Sequence, residues 1–169
     1  GQMFHRFGTK VTILERSRVI LPRYEPEVSD ALTFILRKEG LKILTEAQVT
    51  RAAQKSDGGI EVTANVGGKT QTFTAQKLLI ATGREPNTNG IGLEKVGVEV
   101  DERGYVKVND ELQTSVPNIW AAGDVIGNQT DSQPATPVGA HDGVIAAMNA
   151  LSGAHRKADH RVIPRVIFT

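Results

Sequence analysis

Residues 114–127 read TSVPNIWAAGDVIG, an apolar run that ends on small residues and a single carboxylate. Ile119, Trp120, Ala121 and Ala122 predict a short buried parallel strand, and Gly123 lets backbone approach a ligand where a side chain would block it. Asp124 follows at the carboxyl end, where open α/β sheets bind nucleotides and where its two oxygens can accept from sugar hydroxyls. By itself this is also an ordinary Gly-Asp turn. A second run upstream changes the weighing: residues 77–87 read KLLIATGREPN, again an apolar strand pattern entering a small-residue turn at Gly83.

The pair resembles a known family. An ATGRxPN turn followed by T-x-x-x-x-[apolar]-x-A-A-G-D is similar to the flavin- and nicotinamide-dependent disulfide reductases, the family of glutathione reductase, dihydrolipoamide dehydrogenase and mercuric reductase. The resemblance implies that Asp124, beside Gly123, binds the ribityl chain of FAD, and that Gly83 marks the return of the chain from a nicotinamide domain to a flavin domain. The stretch 134–143, PATPVGAHDG, is most like mercuric reductases. By the same resemblance, backbone at Thr136, Pro137 and Val138 lies near the flavin ring. The implied activity is hydride transfer from NADH or NADPH through FAD to a cysteine pair and then to a small acceptor, mercuric ion or a disulfide. A dihydrolipoamide dehydrogenase-like enzyme and a non-catalytic nucleotide-binding piece are the alternatives. The family works as a homodimer.

Composition sets the outer limits. With 39% apolar and 23% charged residues the chain is of ordinary globular type, and a formal net charge of +1 gives no electrostatic case for nucleic acid or an anionic membrane. No apolar run reaches the roughly 20 residues that a membrane helix needs, so a cytoplasmic protein is expected. The absence of cysteine excludes a disulfide framework and a cysteine-ligated metal site within these residues. The family's redox thiols and its active-site histidine are therefore expected outside this chain. His141 belongs to no Ser/His/Asp spacing that would make a triad, and is expected on a helix surface.

In chain order, Met3, Phe4 and Phe7 at helical spacing suggest the end of a helix. By the same resemblance, the glycine fingerprint of a dinucleotide-binding unit would lie roughly ten residues before Gly1, so the sequence is expected to be a piece of a longer protein. Residues 10–15, KVTILE, predict a buried strand ending on Glu15, the expected adenine-ribose ligand. Glu15 suits NADH, whereas Arg16 and Arg18 suit the 2′-phosphate of NADPH, so the choice stays open. Glu25, Pro26 and Glu27 start a helix whose apolar face would comprise Val28, Ala31, Leu32, Ile35 and Leu36, and residues 41–44 return as a parallel strand.

Glycine pairs at 58–59 and 67–68 divide a polar, β-branched region into a three-stranded antiparallel meander, 48–55, 60–66 and 69–74. Residues 77–81 would add the last strand of that domain. Beyond it come a linker, a short helical turn at 93–97, a hairpin of 98–100 with 105–108, and a helix over 138–151 packed through Ala140, Val144, Ala146, Ala147 and Ala150. The expected organisation is α/β: a Rossmann-like three-layer NAD(P)-binding domain over 1–83 lacking its first strand, the second half of an FAD-binding domain over 84–160, and the start of a dimerisation domain over 161–169.

Overall fold

The computed structural model describes residues 1–163 and 166–169. Pro164 and Arg165, within the segment expected to open a dimerisation domain, lie outside the described residues. The chain forms two compact units, Gly1–Ala81 and Thr82–Phe168.

In the first unit a short helix α1 (Gln2–Arg6) precedes β1 (Thr12–Leu14), α2 (Pro26–Lys38) and β2 (Lys42–Leu44). Pro26 opens α2 where its missing N–H costs nothing, Glu27 sits in the first turn, and Arg37 and Lys38 close the last, all in accord with the helix dipole. β1 and β2 pair in parallel with Ile13 opposite Ile43, and Leu36, Leu41 and Ile43 form the core with Leu32, Ile20, Ile13 and Val11 packed around them. The buried stripe of α2 is narrower than expected. Leu36 and Ser29 are buried, while Val28 and Ile35 remain 43% and 49% exposed because the two-stranded sheet covers only one side of the helix.

The meander follows as β3 (Ala47–Gln54), β4 (Ile60–Val66) and β5 (Lys69–Ala75), antiparallel with β4 central. Val62 and Ala64 alternate into its buried face, as period-two patterning requires. At the first hairpin the Gly59 N–H donates to Asp57 Oδ1 at 2.9 Å. Residues 77–81 do not form the expected strand. An extended segment becomes a strand only when a neighbour supplies backbone partners, and none does so among the described residues. Leu79 and Ile80 are left 68% and 73% exposed.

The second unit has little regular β structure. The expected hairpin of 98–100 with 105–108 contracts to one antiparallel bridge, Val100–Val106, and the expected strand at 119–122 to another, Gln113–Trp120. Residues 119–122 are half-buried, since the run has no parallel neighbour to lie between among the described residues. After α3 (Leu93–Val96), the remaining regular elements are a 3₁₀ turn at Gly123–Ile126, another at Gln129–Asp131, and α4 (Thr136–Ser152), which Gly153 closes. The core joins Leu112, Ile126, Ile145 and Ala146, with Trp120, Val125 and Ala158 against them. Burial of each of the Leu and Ile side chains favours the fold by about 1.5–3 kcal/mol. The inward face of α4 is Val138, Asp142, Ile145, Ala146 and Asn149; of the expected small-residue face only Ala146 is buried, and Val144 is 56% exposed. Among the described residues no helix is long and apolar enough to cross a membrane.

Candidate functional site

The second unit's site is assembled from the turn that carries Asp124. The Ala121 N–H donates to the Leu112 carbonyl at 3.0 Å, which sets the direction in which the chain enters Gly123. Gly123 adopts φ +80°, a conformation that disfavours any Cβ, and α4 packs against this turn at Gly139. A Cβ at Gly139 would stand 3.1 Å from the Gly123 Cα, so two glycines permit a backbone approach that side chains would prevent. Gly127 closes the turn by donating its N–H to the Asp124 carbonyl at 3.2 Å, and the Tyr105 ring lies so close that a Cβ on Gly127 would meet it at 2.8 Å.

Asp124 projects from this frame with its side chain 59% exposed. Among the described residues its carboxylate has one partner, Arg84 Nη1 at 3.5 Å, so most of its acceptor capacity is open. The carboxylate borders a cavity of about 410 Å³ whose other walls include Arg84, Pro86, Asn87, Tyr105 and Pro134. This volume falls within the range of small-molecule sites, roughly 300–1,000 Å³. Its polar groups, the Asp124 and Glu85 carboxylates, the Arg84 guanidinium, the Asn87 carboxamide and the Tyr105 hydroxyl, suit a ligand bearing hydroxyls.

At the start of α4, Thr136 and Pro137 are exposed, and the Ala135 N-cap supplies no side-chain hydrogen bond to the free N–H groups of the first turn. Val138 turns inward and is 8% exposed, so its side chain is spent on the core. Gly83 is exposed with φ +136°, next to the cavity residue Arg84.

Glu15 and Arg16 belong to the first unit. Glu15 follows β1 directly and is tied to two strands: its N–H donates to the Leu44 carbonyl at 2.8 Å, and its carbonyl accepts from the Ala47 N–H at 2.9 Å. One carboxylate oxygen, Oε1, accepts from the Ser17 N–H at 2.7 Å, and Oε2 is left as an acceptor. Arg16 is exposed beside it. His141 is exposed on α4.

Sequence reasoning missed a buried polar cluster, Ser132, Asp142 and His160. His160 Nε2 lies 2.7 Å from Asp142 Oδ1, His160 Nδ1 lies 2.7 Å from the Thr130 carbonyl oxygen, and the Ser132 hydroxyl donates to Asp142 Oδ2 at 3.1 Å. The signal was the spacing Val138, Asp142, Ile145, Asn149: two polar residues on an otherwise apolar helical stripe call for internal partners. Among the described residues no group of three or more His, Cys, Asp or Glu is placed to hold a metal ion.

Taken together, the parallel pair, the antiparallel meander and the helices that accompany them define an α/β protein. The chain belongs to the pyridine nucleotide-disulphide oxidoreductase family, whose pattern it matches over residues 1–151. Members of this family use FAD and NAD(P)H. Over its full length the chain is 39% identical to mercuric reductase of Bacillus cereus, 44% to that of Streptomyces lividans and 40% to dihydrolipoyl dehydrogenase of Thermus scotoductus. It spans only 26%, 34% and 36% of those proteins, respectively. Among solved structures, 99% of the chain superposes on 35% of LpdA from Mycobacterium tuberculosis with a TM-score of 0.87 at 26% identity. A copper(II) complex of the HOCl-induced flavoprotein disulfide reductase RclA from Escherichia coli matches 95% of the chain, and 34% of its own, with a TM-score of 0.79 at 34% identity.

Proposed function

We propose that the chain supplies the nicotinamide domain (1–83) and the later part of the flavin domain (84–160) of an oxidoreductase that takes hydride from NADH or NADPH and passes electrons through FAD to a thiol pair and a small acceptor. The observation that carries this is the Asp124 carboxylate, exposed on a tight glycine turn, open to further hydrogen bonds and bordering a cavity of about 410 Å³. FAD, when bound, supplies the hydride-accepting and electron-passing chemistry. Asp124 holds it by accepting from ribityl hydroxyls, and Gly123 lets the backbone come close. The N–H groups of Thr136 and Val138, at the positive end of α4, would suit partial negative charge on a bound flavin.

In the first unit, Glu15 Oε2 accepts from an adenine-ribose hydroxyl, and Arg16 stands where a 2′-phosphate would place its charge. The chain has no cysteine, so thiol chemistry in the complete protein belongs to residues outside it. Mercuric ion is the acceptor favoured by the mercuric reductase relatives and a lipoamide disulfide the alternative. The complete protein is read as a cytoplasmic homodimer, with 161–169 opening its dimerisation domain.

The test is Asp124→Ala in the complete protein that carries this chain. Loss of hydrogen bonds to a charged group, about 1.5–3 kcal/mol each, predicts at least a tenfold loss of FAD affinity and a purified protein depleted of flavin. Normal flavin content in that variant would remove Asp124 from the site.

A further inference from the structure

The Asp142–His160 pair lies apart from the proposed cofactor contacts and is nearly inaccessible, with side chains 0% and 2% exposed. Both imidazole nitrogens face groups that can only accept, the Thr130 carbonyl and the Asp142 carboxylate, each at 2.7 Å. A neutral imidazole has one N–H and would leave one of these contacts between two acceptors. With Asp142 ionised, only the doubly protonated ring satisfies both, and its charge is cancelled by the carboxylate that also accepts from Ser132.

Backbone geometry next to the pair points the same way. Thr130 and Asp131 take consecutive left-handed conformations, φ +53° and +60°, which a β-branched residue rarely adopts unless its surroundings hold it there. The cluster holds Thr130 through its carbonyl and Ser132 through its hydroxyl, next to Gln129, whose side chain is tied to the Val106 carbonyl and the Val108 N–H. Two residues further on, Pro134 forms a wall of the Asp124 cavity.

We infer that His160 and Asp142 are positioning residues, a protonated clasp that fixes the 129–134 loop and the Pro134 wall of the cavity, and that the clasp opens when His160 loses its second proton. Burial alone would push the His160 pKa down, but the Thr130 carbonyl, Asp142 and Asp131 together hold it above the ordinary histidine value. Of the other charges nearby, Asp159 is engaged by Arg161 Nη2 at 2.6 Å and Asp110 by Lys157 at 3.3 Å, so neither rim carboxylate is left unpaired. With the folded pKa raised, the stability that the clasp adds is fully present below the unfolded value of about 6.5. It is lost as pH rises through the folded value.

The experiment uses the 169-residue chain without nucleotide, so its outcome is independent of flavin binding. Imidazole ¹⁵N shifts of His160 should show both nitrogens protonated at pH 6. Amide exchange over 129–133 should accelerate as that signal titrates. The thermal midpoint should fall by about 5 °C or more between pH 6 and pH 9, a shift of the size one such interaction produces in a small unit. Asp142→Asn should abolish the fall attributable to the clasp, because the introduced amide can donate to a neutral Nε2 while Nδ1–H still serves Thr130. A neutral His160 at pH 6, unchanged exchange over 129–133 through its titration, or the same fall in Asp142→Asn would each overturn the inference. Should that variant not fold, the wild-type ¹⁵N and exchange titrations decide.

Discussion

Glu15 shows how much one side chain can be made to do by its place in a strand. The short β1 strand delivers it to the sheet's carboxyl edge, the Leu44 and Ala47 hydrogen bonds fix its backbone, and Ser17 fixes one oxygen. What is left is a single oriented acceptor. In the proposed function a ribose hydroxyl would complete it, while a 2′-phosphate would meet its charge with repulsion. Glu15→Ala in the complete enzyme is therefore expected to raise the KM for NADH about tenfold, the loss of one charge-assisted hydrogen bond, and that for NADPH by less. Steady-state kinetics with both nucleotides checks this, and equal losses would mean that Glu15 does not face the ribose. The positions of Glu15 directly after β1 and of Asp124 on a tight glycine turn were legible in the sequence, because each follows an apolar run. Asp142 and His160 were not. A carboxylate on a helix reads as solvated unless its register against the apolar stripe is counted, and nothing in the sequence places a histidine 18 residues later against it.

Elements differ in how much of their own stabilisation is local. α2 has its cap signals, and the meander has its glycine turns and alternation, so both were predictable to within a residue or two. The 77–81 and 119–122 runs carry the same apolar signal but depend on neighbours for pairing, and the structure leaves them irregular. α4 sits between these cases: its extent was clear, but its inward face includes polar groups that hold the rest of the second unit. Asn149 is the clearest example. Its amide donates to the Glu111 carbonyl at 2.9 Å and the Arg156 carbonyl at 2.8 Å, and its oxygen accepts from the Arg156 N–H at 2.8 Å. Asn149→Ala strands all three backbone groups, two of them in the segment that returns along the helix. The expected cost is about 2–4 kcal/mol. Urea unfolding would show it as a lower midpoint at an unchanged slope, and a loss under about 0.5 kcal/mol would place those backbone groups in water.

For the whole molecule, each unit presents a carboxylate with open acceptor capacity: Glu15 beside Arg16 in one, and Asp124 on a turn at a cavity in the other. The α/β class, the parallel pair and the meander followed from the sequence because they rest on periodicity and turn chemistry. The cavity did not, since Tyr105, Pro134 and Asn87 come from separate turns that no spacing rule relates. The central claim is that the Asp124 turn is a flavin site, and the most direct measurement is a titration of the ¹⁵N-labelled 169-residue chain with FAD, followed by amide chemical shifts. The account predicts saturable shifts concentrated at 123–127 and 136–139, weakened at least tenfold in affinity by Asp124→Ala. No shifts at millimolar FAD, shifts scattered away from that turn, or an Asp124→Ala titration identical to wild type would contradict it.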